Sequence, residues 1–491
     1  MNLVNRRVVG LVIILSMLLG AGGTYVSLQF LDEGKALLEK VNLNQATGSE
    51  TTEAPSNEAT EVDFNKIEQA FELISDRYVE RVETSELIEG AIQGMIDTLE
   101  DPYSVYMDKE TAKQFTQSLD ASFEGIGAEV SMVDGKVTIV APFKDSPAEK
   151  SGLKPNDQIL SVDGKSIAGL DLYEAVLKIR GEKGTVVSLE VSRLGANEPL
   201  KIDVVRDEIP IETVYADVKE YQGEKIGYIE ITSFAEDTAE DFKTQLSNLE
   251  KENIAGLVID VRGNPGGYLQ SVEEILKQLI PKGEPIVQIE DRNGEKQRII
   301  STLKEAKDYP IITLIDKGSA SASEILAGAL KEAGGYDLVG ETSFGKGTVQ
   351  QAIPMGDGSN LKLTMFKWLT PDGNWIHEKG IEPTVQIMQP DYFYTNPLQI
   401  EEELTLDTNN EKVKNAQQML KGLGFEPGRE DGYFSTQTEV SVKAFQQANN
   451  LTVTGIIDTE TAQALESKII EKIRAEENDR QLQTAIKLLF Q

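Results

Sequence analysis

Apolar and polar positions divide the chain into stretches of different periodicity. Arg6 and Arg7 precede 24 uncharged residues, Val8 to Leu31, a length that can cross a bilayer with the arginines on the cytoplasmic side. Residues 1–33 therefore read as a transmembrane anchor or a signal segment. Ala21-Gly22-Gly23 offers small residues but no clean A-x-A cleavage site. Either way, the body of the protein is expected outside the cytoplasm, on a single-pass anchor or secreted. Residues 34–62, with "NQATGSETTEAPSNEATEV", are polar and acidic and cannot bury enough surface to fold, so they read as a disordered linker. In 63–112, apolar residues recur every three or four positions in "FNKIEQAFELISDRYVE" and "ELIEGAIQGMIDTLEDPYSVYM". That spacing predicts helices, the second stopped at Asp101-Pro102.

Further along, a helical "LYEAVLKIR" leads into the strand-like "TVVSLEVSR" within 113–206. From 207 to 395, apolar strand runs ("KIGYIEI", "GLVIDVR", "IITLI") alternate with helical segments, the pattern of a sheet covered by helices. In 404–467 two Gly-punctuated helical units appear, and the tail 468–491 has helical periodicity with apolar ends. The tail is expected to pack on another part of the protein or on a second subunit, which leaves a homodimer open. The fold class is mixed α/β and multidomain, with an αβ core between an N-terminal helical region and small C-terminal helices.

Composition narrows the function. The chain has 491 residues, 48 Lys plus Arg against 82 Asp plus Glu, and a formal charge of −34. Such a balance argues against a nucleic-acid partner, which needs a basic face. There is no cysteine, so thiol nucleophiles, disulfides and thiolate metal sites are excluded together. His377 is the single histidine. It lies in the turn-rich "PDGNWIHEKG" and reads as a surface residue without a catalytic role.

"DKGSASASEILAGAL" raises the central question. Ser321, Ala322, Ser323 and Glu324 fit a capping box, in which Ser caps a helix and Glu reaches back. Twenty-five residues on, "GETSFGKGTVQQ" holds Lys346 between glycines. A nucleotide loop is disfavoured because Gly347 stands where magnesium needs Ser or Thr. The S-x-x-K of penicillin-recognising enzymes lacks its downstream partners. The third reading joins Ser321 and Lys346 as a dyad, in which a neutral lysine takes the serine proton. Bringing the lysine pKa toward neutrality takes about 4–5 kcal/mol of differential solvation. Gln350 offers an amide that could orient the lysine without adding charge.

Three resemblances organise these readings. Ser146-Pro147-Ala148, Gly152-Leu153, Asp157, Ile159, Val162, Asp163 and Gly164 resemble a PDZ domain of the bacterial protease type. That resemblance implies that Gly125-Ile126-Gly127 points backbone N–H groups at a peptide's C-terminal carboxylate. Arg180, ending the expected PDZ helix, is a candidate messenger that could bond a carbonyl or Gln350 across the domain boundary. Asp431-Gly432-Tyr433-Phe434, Phe445-Gln446 and Thr454-Gly455 resemble a peptidoglycan-binding module, which makes peptidoglycan a candidate partner.

"GSASASEILAGAL", "FGKGTVQQ", "DVRGNPGG" and "LTPDGNWIHEKGIEP" together resemble the carboxyl-terminal processing (tail-specific) peptidases, a serine–lysine family. The resemblance implies Ser321 as nucleophile, Lys346 as base and Gln350 as its orienter. The oxyanion donors would be Ala322 N–H and either Gly266 or Gly267. Substrates would be proteins or peptides with free C-termini, the membrane would be reached through the N-terminal segment, and no metal or organic cofactor is implied. A non-catalytic wall-associated PDZ scaffold and a peptidoglycan hydrolase are the alternatives.

Overall fold

The computed structural model describes residues 61–491, apart from 120–121, 134, 144–145, 171, 194–197, 399 and 401. The candidate anchor and almost all of the candidate linker lie outside the described residues. Among the described residues, no helix is long and apolar enough to cross a membrane. The chain divides at Glu83/Thr84. Before the division stands the helix Glu61–Arg77, which begins two residues inside the expected linker.

After it come the helices Thr84–Asp97 and Lys109–Leu119. Between them "VYM" is a strand rather than a continuation of the helical region: Val105–Met107 pairs antiparallel with Asn360–Leu369. The same sheet takes in Pro285–Glu290, Lys296–Ile300 and Thr348–Pro354. Periodicity does not announce Thr348–Pro354, whose outer residues Gln351 to Pro354 are all exposed, so neither face carries an apolar row.

The PDZ-like region is a sheet of Ala128–Val133, Lys136–Pro142, Gln158–Val162, Val186–Ser192 and Leu200–Val205, with Lys165–Ser166 at its side. Val187, Leu189 and Val191 point inward at every second position and meet Ala175 and Ile179 of the helix Leu172–Ile179. Buried Asp157 takes both Arg193 Nε and Nη2, at 2.7 and 2.6 Å.

At the centre lies a six-stranded sheet in the order Val214–Tyr221, Glu224–Ile231, Gly256–Asp260, Ile311–Ile315, Asp337–Gly340, Val385–Gln386. The first pair is antiparallel and the remaining pairs are parallel. The central strands Gly256–Asp260 and Ile311–Ile315 are buried along their whole length, which is why they read as nearly unbroken apolar runs. Leu257, Ile259, Ile311 and Ile315 meet helices Thr238–Lys251, Leu269–Leu276 and Ala322–Glu332. Their neighbours Val258, Ile312 and Leu314 point the other way, onto Leu482, Ala485, Ile486 and Leu489 of the tail. The tail helix Arg480–Leu488 thus packs on its own chain.

Helices Glu411–Gly422, Thr436–Ala448 and Thr459–Arg474 enclose Leu420, Phe434, Phe445 and Leu465. Its Gly-punctuated units have a common cause in two fully buried glutamines. Gln417 accepts from Gly432 N–H at 3.0 Å and donates to Tyr433 O at 2.8 Å. Gln446 accepts from Gly455 N–H at 2.9 Å and donates to Ile456 O at 2.9 Å.

Candidate active site

Three neighbouring parallel strands, Gly256–Asp260, Ile311–Ile315 and Asp337–Gly340, end at the same sheet edge. The loop after each carries part of the site, the usual place for function in parallel sheets. Gly266 and Gly267 follow the first strand, Ser321 the second and Lys346 the third.

After Ile315 the chain turns at Asp316, whose Oδ1 accepts from Gly318 N–H at 2.9 Å and from Gly263 N–H of the neighbouring loop at 2.8 Å. Ser321 then caps the helix Ala322–Glu332 with φ +55° and ψ −113°. A residue with a Cβ enters that region at a cost of about 1–3 kcal/mol and only where its surroundings hold it there. Here the Ser321 N–H donates to Glu324 Oε2 at 2.8 Å, and its carbonyl accepts from Glu324 and Ile325 N–H, each at 2.9 Å. The nearby serines are committed elsewhere. Ser319 Oγ donates to Val261 O at 2.8 Å, Ser323 Oγ to Asn264 O at 2.9 Å and Ser343 Oγ to Glu324 Oε1 at 2.6 Å.

Glu324 does more than complete a cap. Fully buried, it accepts from Ser321 N–H, from Ser343 Oγ, from Gly345 N–H at 2.6 Å and from Lys346 N–H at 2.8 Å. The carboxylate ties the serine turn to the lysine loop. Sequence spacing reveals only its local bond to Ser321, because the other donors arrive from residues 343–346.

Asn264 does the same for the glycine loop. Its Nδ2 donates to Ile231 O at 2.7 Å, its Oδ1 accepts from Gly266 N–H at 2.8 Å, and its carbonyl accepts from Ala320 N–H at 3.0 Å. Gly266 sits at φ +104°, where a Cβ would lie 2.8 Å from Ala320 O and 2.9 Å from Ser321 Cβ. Glycine is required there by closeness to the serine turn.

Lys346 is half-buried, and its Nζ stands 4.9 Å from the centre of the Tyr103 ring. Burial holds its pKa below that of an ordinary lysine, and the positive charge of Lys362 pushes the same way; Asp101 and Glu324 oppose. The loop is clamped from outside. Trp368 Nε1 donates to Lys346 O and Trp375 Nε1 to Gly347 O, both at 2.8 Å. His377, stacked on Trp375, accepts from Gly347 N–H through Nδ1 at 3.4 Å. It is half-buried rather than the surface residue expected. The amide of Gln350, expected on Lys346, donates instead to Thr348 and Thr364 Oγ1, at 2.9 and 3.1 Å. Among the described residues it makes no hydrogen bond to the lysine. Tyr103 was missed in sequence because "DPYS" reads only as a helix stop.

In the PDZ-like region, Gly125 pairs with Asp207, Ile126 O accepts from Ala148 N–H at 2.7 Å, and Gly127 O accepts from Phe143 N–H at 2.9 Å. Gly127 has φ +71°, and a Cβ there would lie 2.6 Å from Ser146 Cβ. Arg180 is exposed, with its guanidinium 4.7 Å from the Phe123 ring centre, rather than bonded to Gln350. The helix end is held by buried Arg206, whose Nε donates to Ile179 O at 2.8 Å. Among the described residues, no group of three or more His, Asp or Glu side chains could hold a metal ion.

Residues 225–387 match Peptidase family S41, 125–204 a PDZ domain, 409–465 a putative peptidoglycan binding domain, and 17–111 the activating protease CtpB N-terminal domain. The chain is similar to the carboxy-terminal processing protease CtpB of Bacillus subtilis, 59% identical over 486 residues and 99% of each chain. The carboxy-terminal processing protease CtpA of the same organism is 44% identical over 427 residues, 87% of this chain and 90% of the relative. Among solved structures, a photosystem II D1 C-terminal processing protease is similar at a TM-score of 0.41 and 25% identity, over 65% of this chain and 92% of that one.

Proposed function

Because the chain belongs to peptidase family S41, as a carboxy-terminal processing serine protease with a PDZ domain, we propose that it cleaves by a Ser321–Lys346 dyad and selects substrates by their free C-termini. One observation carries the reading: Ser321 N–H and Lys346 N–H donate to the same oxygen, Glu324 Oε2, each at 2.8 Å. The two residues are thereby held as one unit.

In the proposed reaction, neutral Lys346 takes the Ser321 hydroxyl proton as Oγ attacks the scissile carbonyl. Ala322 N–H and a glycine N–H stabilise the oxyanion. Since Gly266 N–H is committed to Asn264, we assign that second donor to Gly267. Collapse breaks the C–N bond, the lysine returns the proton to the leaving amine, and water then hydrolyses the acyl-enzyme. Gln350 would orient Lys346 only after exchanging a threonine partner. We further place the catalytic body, 207–395, outside the cytoplasm behind the PDZ region 113–206, with the N-terminal segment as membrane anchor and 404–467 at the wall.

The lysine's role predicts the pH profile. A base must be neutral, so turnover should rise about tenfold per pH unit until Lys346 is deprotonated. Lys362 lowers the Lys346 pKa and Asp101 raises it. Lys362→Met should therefore move the rising limb to higher pH, and Asp101→Asn to lower pH. Rate profiles of the three proteins check this; limbs that coincide, or a fully active Lys346→Arg, would remove lysine as the base.

Recognition of C-termini is tested with one long substrate carrying either a free or an amidated terminus. The free form should be cut faster, and Gly125→Glu should erase the difference. Equal cleavage of both forms by the parent protein would leave the PDZ domain without this role. For the wall, the uncleaving Ser321→Ala chain should co-sediment with purified peptidoglycan; a chain that stays in the supernatant across wall types refutes the assignment.

A further inference from the structure

The C-terminal tail reaches the roots of two catalytic loops. Arg262 opens the glycine loop, and its guanidinium is gripped from both sides. Nε and Nη2 donate to Asp260 at 2.9 and 2.6 Å, and Nη1 and Nη2 donate to Asp479 at 3.0 and 2.8 Å. Asp479 caps the tail helix through Leu482 N–H at 2.9 Å and also accepts from Gln389 Nε2 at 2.6 Å. The backbone N–H of buried Gln389 donates to the Tyr394 hydroxyl at 2.9 Å, and that hydroxyl donates to Glu341 Oε1 at 2.5 Å. Glu341, itself buried, opens the lysine loop. An unbroken path, Arg262–Asp479–Gln389–Tyr394–Glu341, therefore joins the two loops from behind the sheet.

Packing follows the same route. The tail helix lies on Val258, Ile312 and Val339, one residue from each of the three strands that launch the glycine loop, the serine turn and the lysine loop. A two-oxygen grip on a guanidinium fixes angle as well as distance. Errors of about 1 Å in a catalytic group can cost about 100-fold in rate.

We propose that Asp479 and Tyr394 are positioning residues, and that the C-terminal segment acts as a brace setting the glycine loop and the lysine loop at their working separation. Neither side chain needs to touch substrate; each acts through Arg262 or Glu341. The inference rests on the Ser321–Lys346 reading. Its regulatory corollary is that lifting the tail helix would silence cleavage while leaving PDZ peptide binding intact.

The experiment uses the full chain with Asp479→Asn and Tyr394→Phe. Asparagine still caps a helix but removes the charge gripping Arg262, and phenylalanine removes one hydroxyl. A fluorophosphonate titrates reactive serine, so that kcat is expressed per labelled site. We expect kcat per site to fall at least about 10-fold in each variant, with KM within about twofold and peptide binding unchanged; Asp479→Glu should recover part of the loss. An unchanged kcat per site in both variants, whatever the yield or Tm, would overturn the brace and leave these residues purely structural. If Asp479→Asn fails to fold, Tyr394→Phe decides alone. Mapping the label in the parent protein tests the dyad separately: a misassigned nucleophile moves the label, whereas an idle brace leaves kcat per site unaltered.

Discussion

Ser321→Ala should lower turnover by at least about 10⁴-fold, the scale seen when a serine nucleophile is removed from its catalytic unit. The fold should survive, because the hydroxyl is the only group lost and Glu324 still receives the residue 321 N–H. Backbone geometry supplies an internal control. At φ +55° alanine is as strained as serine, whereas glycine is not. Ser321→Gly should thus melt higher than Ser321→Ala, by an amount corresponding to roughly 1 kcal/mol, while being equally inactive. Calorimetry and peptide cleavage measure the two parts independently. Appreciable cleavage by Ser321→Ala in a protease-free preparation would reassign the nucleophile, and the committed hydroxyls of Ser319, Ser323 and Ser343 make each a poorer candidate.

Glu324→Gln should damage both stability and turnover, although the side chain is close to the same size. Four donors converge on a fully buried carboxylate. An amide presents one oxygen and turns its own N–H groups toward the remaining donors. Leaving such groups unpaired costs about 3–5 kcal/mol, which corresponds to a Tm drop of roughly 10 °C for a domain of this size. Turnover should fall at least about 100-fold because the serine turn and the lysine loop are no longer tied. The sign of the pKa effect separates position from basicity. Glu324 holds the Lys346 pKa up, so its removal lowers that pKa and moves the rising limb of the pH profile to lower pH. A depressed rate with an acid-shifted limb therefore identifies lost geometry. Wild-type turnover in a folded Glu324→Gln protein would show that the shared carboxylate does not matter.

What sequence reveals and hides follows from the range of each interaction. "GLVIDVR" and "IITLI" announce themselves because strands buried on both faces need unbroken apolar runs, and the loops after them carry the quoted motifs. The serine and the lysine are visible as residue types whose chemistry has few alternatives in a chain without cysteine. Glu324 is half visible, its bond to Ser321 being local and its three other bonds not. Tyr103 and Tyr394 leave no local signature, and Asn264 and Asp479 show locally only a turn and a helix cap, since the contacts that tie each to the site reach partners more than 30 residues away. The outer sheet is hidden for another reason. Gln351 to Pro354 are solvated on both sides, and pairing with Asn360–Leu369, rather than burial, makes them a strand.

The order of synthesis gives the packing of the tail helix a temporal meaning. Val105–Met107 must wait for Asn360–Leu369 before it gains a partner, and Val258, Ile312 and Val339 stay uncovered until Leu482 to Leu489 have been made. Contacts spanning so much of the chain form late and slowly. Every nascent chain therefore passes through a stage in which the serine turn and lysine loop exist but the layer beneath them is missing. The three strands that launch the catalytic loops are therefore made more than 130 residues before the helix that covers their far face.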